Sequence, residues 1–217
     1  MRKLVVNTFV TLDGVMQAPG GPEEDSSGGF THGGWSVNYS DDLMMQTMGE
    51  AMAEPFDLLL GRKTYEIFAA HWPYVDDPAA EPLNTATKYV ASRTLGKVEW
   101  GNSILIEGDV AEEVARLKSE SGPEIQVHGS SNLIQTLLEH DLVDEYRLWI
   151  FPLVLGAGKR LFADGTAARG LKLADTKTST TGVVIATYEP AGEIEYGSFA
   201  LEEPTEAELE RRRRLAE

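Results

Sequence analysis

Along most of the chain, apolar runs of strand length alternate with stretches whose apolar residues recur at helical spacing, and this alternation leaves few folds open. Residues 4–12 (LVVNTFVTL) read as a strand ending on the turn pair Asp13-Gly14. Residues 41–53 predict a helix, with Ser40 or Asp41 as its cap and Leu43, Met44, Thr47, Met48, Ala51 and Met52 at helical spacing. Residues 57–60 (DLLL) form a short strand that meets Gly61-Arg62-Lys63-Thr64, and a second helix follows to residue 70. Strands over 87–92 and 103–107, a helix over 110–121 stopped by Gly122-Pro123, a strand over 124–128 and a helix over 133–140 continue the pattern. The last strands, over 143–154, 171–178 and 183–189, follow one another without a helix. Helical crossovers join parallel neighbours, whereas strands joined directly predict an antiparallel edge. The expected fold is α/β: three layers, α/β/α, with a mainly parallel central sheet of about eight strands and an antiparallel edge, spanning residues 1–190.

Two segments stand outside this pattern. Residues 19–34 are rich in Gly, Pro and Ser and carry no period, so they read as a long loop. Residues 191–217 form a C-terminal extension, expected as a short strand, a charged helix or both. Thr205 and Glu208 there have capping-box spacing, which sets the arginines at 211–214 in the last turns, where the helix dipole favours them. Consecutive arginines also occur at nucleic-acid contacts, but the chain as a whole argues otherwise. Its 19 Lys+Arg against 35 Asp+Glu give a formal net charge of −16, opposite to what grips a phosphate backbone.

Composition removes other classes. No apolar run approaches the roughly 20 residues of a membrane span, and the opening apolar run turns polar at Asn7-Thr8 too early for a secretory signal. With 0 cysteines, disulfide frameworks, thiol catalysis and Cys-ligated metals are excluded. The expectation is a cytoplasmic protein with neither nucleic acid nor membrane as partner, and no metal site.

Three strand-to-helix junctions carry the chemistry. Ligands of open α/β sheets bind at the carboxyl ends of strands, and free N–H groups at helix starts favour anions. At the first junction, Gly61 allows close backbone approach, Arg62 offers a charged fork, and Thr64 can cap the helix or donate to a phosphate oxygen. At the second, Ser92 and Arg93 set a hydroxyl beside a guanidinium, suited to a phosphate monoester. At the third, Gly129-Ser130-Ser131-Asn132 opens a helix with the physical logic of a pyrophosphate cradle, but without the GxGxxG spacing. Taken singly, each junction is equally an ordinary capped helix or polar loop with a solvated arginine, and His128 reads as a structural strand residue.

The ordered set resembles the dihydrofolate-reductase-like superfamily, and more closely the branch that holds the reductase domain of riboflavin biosynthesis and its stand-alone relatives. The resemblance is carried by Thr11-Leu12-Asp13-Gly14, Leu59-Leu60-Gly61-Arg62-Lys63-Thr64-Tyr65-Glu66 and Tyr89-Val90-Ala91-Ser92-Arg93-Thr94. Gly129-Ser130-Ser131-Asn132-Leu133 and the segment from Leu142-Val143-Asp144 through Gly156-Ala157-Gly158-Lys159-Arg160 complete it. It implies a dihydrofolate-reductase-like fold and NADPH as hydride donor. It also implies contacts to cofactor phosphates from Gly61, Arg62 and Thr64, to the adenosine 2′-phosphate from Ser92 and Arg93, and to the pyrophosphate from Gly129, Ser130, Ser131 and Asn132.

At the reacting end the resemblance leaves two readings for each acid. Asp13 hydrogen-bonds the substrate or caps its own turn. Asp42 is the pocket carboxylate of a pterin site or a helix-start acid favoured by the dipole. Phe30 and Trp35, in the 19–34 loop, are expected to close over a flat heterocycle. The implied activity is reduction of a C=N or C=O group, with 5-amino-6-(5-phosphoribosylamino)uracil as the substrate. The alternatives are dihydrofolate reduction and a non-catalytic NADPH-binding module. A homodimer is expected, using the apolar strand at residues 149–155.

Overall fold

The computed structural model describes residues 1–216. Eight strands form one sheet: β1 (Leu4–Thr11), β2 (Phe56–Gly61), β3 (Lys88–Ala91), β4 (Ser103–Ile106), β5 (Glu124–Val127), β6 (Glu145–Phe151), β7 (Gly170–Thr178) and β8 (Val184–Gly192). Their order is β4-β3-β2-β5-β1-β6-β8-β7. The first six in that order pair in parallel, and β8 runs antiparallel to both β6 and β7. The antiparallel edge therefore consists of the directly connected β7–β8 pair, in which only β8 is reversed.

The helices are α1 (Asp42–Ala53), α2 (Arg62–Ala69), α3 (Ala80–Thr85), α4 (Val110–Ser119), α5 (Ser131–Glu139) and α6 (Glu206–Leu215). Leu58, Leu59 and Leu60 are all fully buried, because crossover helices cover both faces of a parallel strand. Each such leucine contributes roughly 1.5–3 kcal/mol by leaving water. On one face, Val6, Leu59, Ile125 and Val127 pack under Val114 and Leu117 of α4 and Ile134 and Leu137 of α5. On the other, Leu58 and Leu60 meet Tyr65 of α2 and Leu83 of α3, while Trp149 and Phe151 meet Met44 of α1.

Three expectations change. The sequence pattern omits α3, a six-residue helix with Pro82 and Asn84 that is too short to show a period. The apolar run at 149–155 is split: β6 ends at Phe151 and lies between β1 and β8, with Trp149 3% exposed and Phe151 fully buried, while Val154 beyond it is 71% exposed. The 19–34 loop is tied down rather than free. Buried Gln17 donates from its amide to the Asp25 and Ser27 carbonyls, each at 2.9 Å, and its Oε1 accepts from Lys159 N at 3.0 Å. In the C-terminal extension, Thr205 caps α6 by accepting from Glu208 N at 3.3 Å, and Glu208 pairs with Arg211 and Arg212. No residue of α6 is buried. Among the described residues, no helix is long and apolar enough to cross a membrane.

Candidate functional site

A cleft of about 1520 Å³ opens at the carboxyl end of the parallel strands. The chain places it there because β5 returns between β2 and β1 before β6 adds on the far side of β1, so successive crossovers diverge at this point. All three junctions singled out in the sequence line this cleft: Gly61, Arg62, Lys63 and Thr64; Ser92, Arg93 and Thr94; and Gly129, Ser130, Ser131 and Asn132.

Two of the junctions are fastened to each other. Ser130 Oγ accepts from Gly61 N at 2.8 Å and donates to Thr64 Oγ1 at 2.7 Å, across 69 and 66 residues of sequence. Gly61 is required for this approach, since a Cβ there would lie 2.8 Å from Ser130 Oγ and 2.9 Å from Ser130 Cβ. Ser130 itself sits in the left-handed region at φ 70°, following Gly129 at φ 107°. The Thr64 hydroxyl, an acceptor towards Ser130, keeps its own proton for a ligand.

The helix starts differ in a telling way. Side chains cap α1, α4 and α6 through Asp41, Asp109 and Thr205, whereas α2 and α5 start at Gly61 and Ser130 with no side-chain cap. Their first-turn N–H groups are therefore left for solvent or a ligand, and the two helix dipoles converge on one region. Cations stand beside them. Arg62 is held by Glu66 at 2.9 Å and by Thr94 Oγ1 at 2.7 Å, which ties α2 to the segment after β3. Ser92 Oγ accepts from Thr94 N and Leu95 N at 3.2 and 3.0 Å, fixing the turn that carries Arg93. Arg93 is exposed and has no ion pair among the described residues.

The loop forms another wall. Asp25 takes an ion pair from Lys159 and a second from Lys63 at 3.5 Å. Burial pushes its carboxyl up, but hydrogen bonds from Lys159 and Ser27 outweigh this and hold it at about 2. Its neighbour Glu24 has no cationic partner among the described residues. Gly20 N and Gly21 N donate to its Oε2 at 2.6 and 3.1 Å, and burial raises its pKa above the usual carboxylate value.

The floor is the sheet face below α1. His128 and Asn7 stand side by side there, because Val6 and Val127, one residue earlier, are paired in parallel register. Gln126 Oε1 lies 2.6 Å from His128 Nε2, and the Gln126 amide is oriented by its 2.6 Å bond to Glu124. Nε2 therefore carries the hydrogen and Nδ1 is an acceptor. Burial lowers the His128 pKa to about 4, so the imidazole is neutral at ordinary pH. Asn7 Oδ1 accepts from Trp149 Nε1 at 3.1 Å. Met48, Ala51 and Met52 of α1 and Ile67 and Phe68 of α2 wall this end, with Trp72 beyond.

Four residues expected at the reacting end are placed outside the cleft lining. Asp13 accepts from Thr11 Oγ1 at 2.5 Å, Gly156 N at 2.8 Å and Leu155 N at 3.2 Å, and these bonds hold its carboxyl below the usual range. It fastens the end of β1 to the segment after β6. Asp42 is exposed on the first turn of α1, the helix-start alternative. Phe30 is 7% exposed and packs on Val15 and Ala18. Trp35 donates to Gln17 O at 2.8 Å and lies edge-on to Phe151. Both aromatics anchor the loop from beneath. Sequence reasoning passed over Asn7 and Glu24, read His128 as a structural strand residue and placed Trp149 in an apolar strand, and all four line the cleft. Only strand alternation, which puts Asn7 and Phe9 on one face and Trp149 beside them, could have signalled the floor.

Comparisons with known proteins agree with this architecture. The model of the RibD C-terminal domain matches residues 2–186. Protein YyaP of Bacillus subtilis (strain 168) is 33% identical over 196 residues, covering 86% of this chain and 94% of YyaP. A putative riboflavin biosynthesis protein from Shewanella sp. PV-4 superposes with a TM-score of 0.67 at 22% identity, over 88% of this chain and 99% of that one. Dihydrofolate reductase from Enterococcus faecalis, solved with NADP(H), does so with a TM-score of 0.56 at 14% identity, over 87% and 96%.

Proposed function

The chain belongs to the RibD C-terminal domain family, and we propose on that premise that it is a reductase that binds NADPH in the strand-end cleft and serves hydride transfer to a C=N or C=O group of a small heterocyclic compound. The observation that carries this reading is the pair of uncapped helix starts, α2 and α5, locked together by Ser130 beside the unpaired Arg93. The dihydrofolate reductase with the same fold was solved with NADP(H), which supports the choice of dinucleotide.

The residues present fit the cofactor. The N–H groups opening α2 and α5, with the Thr64 hydroxyl, suit the pyrophosphate. Arg93, with the Ser92 hydroxyl proton, suits the 2′-phosphate, since an unpaired guanidinium gives a charge-assisted, forked contact. Gly61 and Gly129 let the two helix starts approach, since a Cβ at Gly61 would press on Ser130 and one at Gly129 would lie against Thr64. Bound NADPH would supply the hydride. The chain's own part is to hold donor and acceptor in line, with the sheet floor at Asn7, His128 and Trp149 setting the acceptor plane. Glu24, whose carboxyl burial inclines towards the protonated form, is the cleft acid able to return a proton. The same reading assigns the protein to the cytoplasm, where the NADPH pool lies.

The test is NADPH oxidation, followed by loss of the reduced nicotinamide absorbance, with 5-amino-6-(5-phosphoribosylamino)uracil, its dephosphorylated riboside or dihydrofolate as acceptor. The first is the substrate the family resemblance implies. The pterin reading needs Asp42 or a neighbour as a pocket carboxylate, and Asp42 itself is exposed and outside the cleft lining. Turnover with a pyrimidine acceptor supports a reductase. NADPH binding with no oxidation of any acceptor would show a binding module instead.

A further inference from the structure

We infer that the acceptor site takes a neutral, flat ring compound carrying a hydrogen-bonding edge and no phosphate group, an inference that rests on the reductase reading above. Phosphate recognition needs Lys or Arg side chains or free helix starts, because a phosphate monoester carries between one and two negative charges near neutral pH. The acceptor end of the cleft offers neither. Its walls are Met48 and Met52 of α1, Phe68 of α2, and Trp72, and its floor is Asn7, His128 and Trp149.

The Lys and Arg side chains lining the whole cleft are Arg62, Lys63, Arg93 and Lys159, and His71 lines it beside Trp72. Lys63 and Lys159 are both turned onto Asp25. Arg62 and Arg93 lie at the ends of β2 and β3, beside the dinucleotide cradle. Of the helix starts at the cleft, α2 and α5 form that cradle, and α4 is closed by the Asp109 carboxylate, which accepts from Glu112 N at 3.0 Å. Glu23, Glu24, Asp25 and Asp109 also line the cleft, so carboxyl groups stand among its basic side chains before a polyanionic cofactor enters. Among the described residues, a second phosphate would meet no uncommitted Lys or Arg side chain.

What the acceptor end does offer is selective. Thioethers and aromatic rings pack against flat faces. On the floor, the Asn7 amide nitrogen makes no hydrogen bond among the described residues, and His128 Nδ1 is a bare acceptor. A donor and an acceptor on adjacent strands suit a ring edge with neighbouring C=O and N–H groups, such as a lactam or uracil edge.

Trp149 and Trp72 line this end, so acceptor binding is readable from tryptophan quenching without turnover. The probes are lumazine, 5-amino-6-ribosylaminouracil and the 5′-phosphate of that riboside, each titrated into the NADP⁺-loaded and the free protein. We expect lumazine and the riboside to bind at least tenfold more tightly than the phosphorylated compound, with kcat/KM ordered the same way. Equal or tighter binding of the phosphorylated compound overturns the inference, as does failure of both neutral rings to bind. A separate NADPH titration distinguishes the two readings. If NADPH does not bind while the neutral rings do, the cofactor assignment falls and the acceptor class stands.

Discussion

Gly61→Ala is the most informative single change, because one methyl group would force apart the two helix starts that form the cradle. The added Cβ would lie 2.8 Å from Ser130 Oγ, about 0.6 Å inside ordinary van der Waals contact at 3.4 Å, and 2.9 Å from Ser130 Cβ. Neither atom is the end of a flexible chain. Ser130 is fixed at φ 70° by its place between Gly129 and α5, so the junction itself must move. Overpacking of this kind costs roughly 1–3 kcal/mol, and loss of the 2.8 Å bond from Gly61 N adds about 1 kcal/mol. The expected result in urea denaturation is a destabilisation of about 2–4 kcal/mol. NADPH affinity, measured by titration calorimetry, should fall at least tenfold, because the N–H groups of α2 and α5 no longer converge. Ser130→Gly in the same chain removes both clashing atoms and relieves a left-handed serine, worth about 1 kcal/mol. The double variant should therefore regain most of the stability but only part of the affinity, since the hydroxyl bridge to Thr64 is gone. If Gly61→Ala keeps wild-type stability and NADPH affinity, the two junctions are not in contact and the cradle argument is wrong.

Other perturbations probe the supports. Asp13→Ala should cost about 1–3 kcal/mol of stability through its lost hydrogen bonds while NADPH affinity stays within about twofold, which calorimetry and denaturation together check. Asp25→Asn should release Lys63 and Lys159 and make the 17–29 loop more sensitive to proteolysis. Because the folded Asp25 carboxyl titrates at about 2, below its ordinary value, its stabilisation is complete above roughly pH 4 and is lost as pH falls towards 2; the Asn variant should lack that component of acid unfolding. Lys88 is fully buried, donates to the carbonyls of Asn84 and Gly101 at 2.5 and 2.9 Å, and lies 4.3 Å from the Trp100 ring centre. Burial lowers its pKa to about 8, so the unfolded chain holds the proton more firmly and wild-type stability should rise between pH 8 and 10. Relative to Lys88→Met, that rise should be on the order of 1–2 kcal/mol after allowance for solvent screening; equal slopes in the two proteins would refute it.

The parts of the molecule legible in the sequence are those set by local periodicity. Alternating strand and helix segments predict the parallel sheet, and Gly61, Ser92 and Gly129 mark the strand ends that line the cleft. What lies beyond reach depends on contacts between distant segments. Nothing local to Ser130 announces that its hydroxyl fastens Gly61 and Thr64 from more than sixty residues away. Asp13 looks equally suited to substrate or turn until the segment after β6 folds back to donate Leu155 N and Gly156 N. The aromatic residues Phe30 and Trp35 suggest a lid only while the loop is taken as unsupported, and buried Gln17 is the side chain that organises it. The acceptor floor escaped notice because Asn7 and His128 are unremarkable strand residues until β5 inserts beside β1.

The central claim, that the cleft is an NADPH site, is tested most directly by calorimetric titration of NADPH and NADH into the wild-type protein and Arg93→Ala. One charge-assisted contact is worth roughly 1.5–3 kcal/mol, so Arg93→Ala should weaken NADPH about tenfold to a hundredfold while leaving NADH unchanged. The wild-type preference for NADPH should largely disappear in the variant. Unchanged NADPH affinity in Arg93→Ala would contradict the assignment of the 2′-phosphate to the end of β3.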